Sequence, residues 1–141
     1  MAAHRIYLHL TWSTFRRQPT IDAPTRSFLD EYFHRIAIQE RATLVSVGFL
    51  RTHVHILVRT GPRYDLPRLV QLLKGGSSYA ASRQPGNVLG LRWNREYSVT
   101  SVSPRLVGTA IEYIRARTGG IPARRSGTLR LRRSDSSGPL F

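Results

Sequence analysis

The chain has no cysteine, a single lysine and only eight acidic residues in 141. Lacking cysteine, it can form neither disulfides nor thiolate metal sites. Any metal ion would rest on imidazole nitrogen and oxygen, a donor set suited to magnesium, manganese or zinc rather than softer ions. No apolar run is long enough to span a bilayer, and the opening residues lack the charged, apolar, small-residue succession of a secretory signal. These absences together fit a protein of the reducing cytoplasm.

The shortage of acids leaves a net charge of +14 and a pI near 11.6. Lys74 is the only lysine, so nearly all of that charge is arginine. A planar guanidinium suits bidentate phosphate contacts and stacks on bases, which makes nucleic acid the leading partner class. The length corresponds to one domain with a core of its own.

Hydrophobic periodicity divides the chain into alternating elements. Ile6, Leu8, Leu10 and Trp12 recur with period two in a half-buried strand over residues 5–14. A basic turn, Arg16-Arg17-Gln18-Pro19, follows. Phe28, Leu29, Tyr32, Phe33 and Ile36 take helical spacing over 24–39, with Pro24 placed to start the helix. Strands are predicted over 43–50 and 54–59, and the short link Arg51-Thr52 makes them an antiparallel hairpin.

Asp65 is a candidate N-cap for a second helix, whose buried stripe is Leu66, Leu69, Val70 and Leu73. That helix frays at Gly75-Gly76 and resumes from Tyr79 to Ser82. Residues 84–90 read as a loop, and 91–102, carrying Trp93, Tyr97 and Val99, as one more strand. Ser103-Pro104 launches a third helix reaching about Arg117. The order β-α-β-β-α-β-α predicts an α+β fold, a ferredoxin-like or RNA-recognition-like sandwich with a C-terminal helix that carries a tyrosine. Residues 1–118 form the domain. Residues 119–141, with arginines, serines and glycines and one aspartate, read as a basic, disordered tail.

The triplet His53-Val54-His55 opens the apolar run Val54-His55-Ile56-Leu57-Val58. Side chains at i and i+2 of a strand share a face, so two imidazoles emerge side by side from the sheet. That suits two ligands to one metal ion. An HxH pair standing alone is more often two hydrogen-bonded or half-exposed imidazoles. His9 alternates against Leu8 and Leu10 and is expected to face solvent or DNA. His34 falls on the polar side of the first helix. In the last helix Val107, Ala110, Ile111 and Ile114 make the apolar stripe, and Tyr113 lies roughly 120° from its centre at ~100° per residue.

Several of these motifs, in this order, resemble the single-tyrosine HUH transposases of bacterial insertion sequences, the IS200-like group. Tyr7-Leu8-His9-Leu10-Thr11-Trp12-Ser13-Thr14 with Arg16-Arg17 is similar to that family's first strand and turn, and His53-Val54-His55-Ile56-Leu57-Val58 to its HUH strand. Leu69 to Gly75 with Ser77-Ser78 is similar to its second helix. Trp93, Tyr97 and Val99-Thr100-Ser101-Val102 match the strand before its last helix, and Tyr113-Ile114 stands where the family places its nucleophile.

The resemblance covers residues 4–118 and implies metal-assisted transesterification of single-stranded DNA at hairpin-marked element ends, by a homodimer that needs neither a nucleoside triphosphate nor a membrane. It implies Tyr113 as the nucleophile and His53 and His55 as ligands of a divalent ion, Mg²⁺ or Mn²⁺. Such an ion would polarise the scissile phosphate, and a phenol attacking phosphorus would leave a covalent intermediate and a free 3′ hydroxyl. Arg16, Arg17, Arg59, Lys74, Arg92, Arg95 and Arg117 are the DNA-contact candidates, with Arg63 and Arg68 beside them.

Two positions depart from the family pattern. Arg117 stands where a glutamine or asparagine usually supplies a further metal ligand, and a protonated guanidinium cannot coordinate a cation. Thr52 stands where an acidic residue commonly precedes the first histidine. Two other readings therefore stay open: a nucleic-acid-binding protein derived from such a transposase but catalytically weakened, and a small metal-dependent hydrolase.

Overall fold

The computed structural model describes residues 5–83 and 90–118, built as β1 (Ile6–Ser13), α1 (Ala23–Gln39), β2 (Thr43–Phe49), β3 (His53–Thr60), α2 (Leu66–Gln71), α3 (Ser77–Ser82), β4 (Ser98–Val102) and α4 (Val107–Thr118). The four strands form one antiparallel sheet in the order β2-β3-β1-β4. This is the α+β sandwich expected from the hydrophobic pattern. The tail over 119–141, most of the loop over 84–90, and the boundary between domain and tail lie outside the described residues.

Strand alternation builds two unlike faces. Leu8, Leu10 and Trp12 of β1 and Val54, Ile56 and Val58 of β3 point to one side and are almost wholly buried against Leu29, Phe33 and Ile36 of α1 and Leu69, Val70 and Leu73 of the second helical segment. Tyr7, His9 and Thr11 of β1, with His53, His55, Leu57 and Arg59 of β3, point to the other side. There α4 packs, through a small cluster of Leu57, Tyr113 and Ile114.

Local chemistry sets the element ends. Asp22 caps α1 by accepting from the Thr25 amide at 2.9 Å, and Asp65 caps α2 by accepting from the Arg68 amide at 3.1 Å. The predicted fraying at Gly75-Gly76 takes the form of a wide π turn over Leu72–Gly76, after which the helix resumes as α3. Before α4 the chain makes a short 3₁₀ turn, Pro104–Leu106.

The last strand is shorter than its pattern. Residues 91–97 are not strand: only one bridge, Thr14 to Trp93, joins them to the sheet. Trp93 is drawn toward the helices, where its indole N–H donates to Ser77 Oγ at 2.9 Å and its ring meets Trp12 edge-on at 5.8 Å. The Lys74 ammonium donates to the carbonyls of Asn94, Arg95 and Glu96 at 2.7, 3.0 and 3.3 Å. These tertiary hydrogen bonds replace the ladder, so β4 begins only at Ser98.

Candidate active site

The site lies on the sheet face beneath α4. Antiparallel pairing sets Thr11 opposite His55 and His9 opposite Leu57, so His9 and His55 are diagonal neighbours on one face. Their rings are in contact: His9 Nε2 lies 3.1 Å from His55 Nδ1. The His53 and His55 rings stand edge to face with centroids 5.1 Å apart, as the HxH alternation predicts. The Tyr113 ring meets both His9 and His55 edge-on, with each centroid distance 6.0 Å.

Close approach of α4 to this face depends on Gly48. It pairs with His55 across the β2–β3 ladder, and a Cβ there would overlap Thr118 and Ile114. Thr118 Oγ1 donates to the Ile114 carbonyl at 2.8 Å, folding its side chain back onto the helix above the glycine. Gly48 therefore lets the end of α4 settle onto β2, one turn beyond Tyr113.

Two expectations are corrected. His9 does not simply face solvent or DNA: alternation does turn it away from Leu8 and Leu10, but the opposite face is covered by α4, and His9 lies against His55 and Tyr113. Tyr113 does not flank the buried stripe. It and Ile114 are the buried residues of α4, Tyr113 at 3% exposure, while Val107, Ala110 and Ile111 are only partly covered. The helix is rotated so that its tyrosine, rather than the centre of its apolar stripe, meets the histidines.

Electrostatics keep the two imidazoles neutral. Burial, and then the guanidiniums of Arg17 and Arg117, push the His53 pKa down from 6.5 to about 4. Burial, and then His9, His53 and Arg117, hold His55 well below the ordinary imidazole value. The ring nitrogens on one side of each imidazole are occupied. Thr52 Oγ1 lies 3.0 Å from His53 Nδ1, so the threonine that departs from the family pattern orients the first histidine of the pair. His9 does the same at Nδ1 of His55. His55 Nε2 is buried with no hydrogen-bond partner among the described residues.

Neutral imidazoles with an unsatisfied inward nitrogen fit a divalent ion. Among the described residues no set of three histidines or carboxylates is arranged to hold one.

The basic residues divide by position. Arg17 and Arg117 lie near enough to His53 to oppose its protonation. The Arg117 guanidinium sits 5.6 Å from the Tyr113 ring centroid. Arg16 and Arg92 pack on the Phe15 ring at 5.0 and 4.1 Å, forming a second basic group where β1 ends. Arg16 and Arg17 are both held in the left-handed region, at φ 55° and 53°.

Arg59 shares the histidine face but donates to Thr43 Oγ1 at 3.1 Å. Arg95 and Arg63 are exposed, and Arg68 is paired with Glu40 at 2.8 Å. Lys74 is turned inward on the loop carbonyls described above. A cavity of about 490 Å³ beside α4 is lined in part by Arg26, Arg51 and Arg117 over Ile21, Phe49 and Leu50. Arg26 and Arg51 were not among the sequence candidates, since nothing in their local pattern separates them from other surface arginines.

An antiparallel sheet thus sets a histidine pair against a helix-borne tyrosine, with Arg17 and Arg117 close by. The family model described as "Transposase IS200 like" matches residues 2–117, and the chain belongs to that family. The ISDra2 transposase TnpA of Deinococcus radiodurans is 26% identical over 116 residues, spanning 79% of this chain and 83% of that protein. A crystal structure of a candidate transposase from Deinococcus radiodurans superposes with a TM-score of 0.64 at 26% identity, over 82% of this chain and 93% of that one. A REP-associated tyrosine transposase, solved bound to a REP hairpin, shares the fold with a TM-score of 0.64 at 11% identity, over 82% of this chain and 70% of that one. Among the described residues no helix is long and apolar enough to cross a membrane.

Proposed function

We propose that this transposase cleaves and rejoins single-stranded DNA at hairpin-marked ends through a 5′-phosphotyrosine formed on Tyr113. The observation that carries the reading is the contact of the Tyr113 ring with His55 beneath α4, in surroundings where Arg17 and Arg117 favour a phosphate.

The Tyr113 phenol gives up its proton and its oxygen bonds to phosphorus. The bond from phosphorus to the 3′ oxygen breaks, and that oxygen takes up a proton to leave as a hydroxyl. Phenolate is a better leaving group than an alkoxide, so a second 3′ hydroxyl can reverse the step and join a new strand without a nucleoside triphosphate.

His53 and His55 would hold Mg²⁺ or Mn²⁺, with water and DNA oxygen completing the shell. Such an ion supplies charge neutralisation at the phosphate when bound. Arg117, whose guanidinium is 5.6 Å from the Tyr113 ring centroid, would grip the scissile phosphate. Arg16, Arg17, Arg92 and Arg95 would guide the strand, and the cavity beside Arg117 would take a flanking nucleotide. Because α4 packs on the sheet of its own chain, Tyr113 would serve its own histidines within the proposed homodimer.

Incubation with the cognate single-stranded end and Mn²⁺ should give a denaturation-resistant protein–DNA adduct. Tyr113→Phe should lower its yield by at least ~10³-fold while leaving hairpin binding intact. An adduct that persists in Tyr113→Phe would refute the assignment. Arginine in place of the usual amide ligand at position 117 favours a second reading, a binding protein that no longer cleaves. No adduct with any metal or end sequence, despite salt-sensitive hairpin binding, would select it.

A further inference from the structure

The geometry points to His9 as a positioning residue for His55. We propose that His55 donates its Nδ1 proton to Nε2 of His9, which fixes the tautomer in which the Nε2 lone pair of His55 faces the site. The inference rests on the proposed metal-binding role of the histidine pair and goes beyond it by assigning a third histidine that touches no reacting atom.

The argument is one of proton placement. A neutral imidazole carries one ring proton, so fixing it on one nitrogen leaves the other as an acceptor or ligand. The 3.1 Å contact between His9 Nε2 and His55 Nδ1 holds one proton between two nitrogens. If His9 owned it, the His55 proton would sit on Nε2, buried and without an acceptor among the described residues. If His55 owns it, Nε2 keeps its lone pair free for an ion.

Neighbouring hydroxyls do not compete for the role. Thr11, opposite His55 in the ladder, donates its hydroxyl to the Val54 carbonyl at 2.7 Å. His53 has its own partner in Thr52. The Nε2 of His9 is itself engaged, because it is directed at Nδ1 of His55. Each member of the pair thus has Nδ1 oriented by a separate side chain, and outer partners of this kind set the direction and basicity of a ligating imidazole.

Proton-detected ¹⁵N spectra of the metal-free, full-length protein can read the tautomer of His55 directly. The expected state is a proton on Nδ1 and none on Nε2; a His55 protonated on Nε2 would overturn the assignment in the wild type alone. His9→Ala should release His55 into a mixture of tautomers and weaken Mn²⁺ binding, followed by electron paramagnetic resonance, by roughly 10–100-fold. His9→Gln, which offers an amide oxygen as acceptor, should restore the single tautomer and most of the affinity.

An unchanged tautomer and unchanged Mn²⁺ affinity in His9→Ala would refute the inference. A wild-type protein that binds no Mn²⁺ yet shows the Nδ1 tautomer, lost in His9→Ala, would remove the metal from the proposed function and still support the role of His9.

Discussion

The two faces of the sheet are made by the same strands and do opposite work. On the α1 side, Leu8, Leu10, Trp12, Val54, Ile56 and Val58 meet the long helix in an apolar core. On the α4 side the same two strands present His9, His53 and His55, and the matching apolar cluster shrinks to Leu57, Tyr113 and Ile114. Alternation with period two lets one short strand serve both faces, so β3 contributes to the larger core at even positions and to the candidate site at odd ones. The difference places most of the folding energy on the face whose buried side chains are nearly all apolar. The other face is left to bury imidazoles that a stable core would exclude.

The comparison breaks most sharply at Ile56. Ile56→Ala empties space in the larger core and should cost about 2–5 kcal/mol, read from the urea midpoint. Under native conditions adduct formation per folded molecule should be unchanged. A loss of adduct chemistry larger than the loss of folded protein would show that the faces are coupled.

Gly48→Ala tests the opposite face with a smaller effect. The added methyl overlaps Thr118 and Ile114, so α4 must shift, at about 1–3 kcal/mol. Here the disproportion should reverse: a modest fall in stability with a much larger fall in adduct yield, because Tyr113 moves with the helix. Equal losses would mean that α4 tolerates displacement.

The smallest effect is in pH. His53 and His55 resist protonation when folded, whereas unfolded imidazoles titrate near 6.5. Below that value the unfolded chain binds more protons, so stability should fall as pH drops from about 6.5 toward about 4 and should be independent of these groups above neutrality. Thermal melts at pH 7 and pH 5 should differ by a few degrees, and His53→Gln should reduce the difference. A melting temperature that rises on acidification would show that the imidazoles are not held neutral.

How much could be read in advance varies from element to element. The succession of strands and helices along the chain follows from periods of two and 3.6, and HxH on a strand is enough to place two imidazoles side by side. The order of the strands within the sheet follows from neither period. The start of the fourth strand was illegible because Lys74, some twenty residues away, holds residues 94–96 out of the ladder. His9 was misjudged for a related reason: alternation says which face a residue takes but not what covers that face. Tyr113 shows the same limit on a helix, where the stripe centre estimated from sequence differs from the side that lands on the sheet.

By itself the sequence determined the α+β class, the pairing of His53 with His55, the family to which the chain belongs and the arginine-rich charge. Each of these depends on local spacing, on ordered motifs or on composition, which are properties of the chain rather than of its packing. Only the tertiary structure decided that His9 joins His55, that Thr52 orients His53, and that Gly48 admits α4 closely enough to bring Tyr113 to the histidines. Those contacts join residues on different elements, most of them distant in sequence, and even the neighbouring Thr52 and His53 meet only once β3 sets their side chains. Contacts of this kind depend on register, rotation and approach distance, which no local pattern encodes.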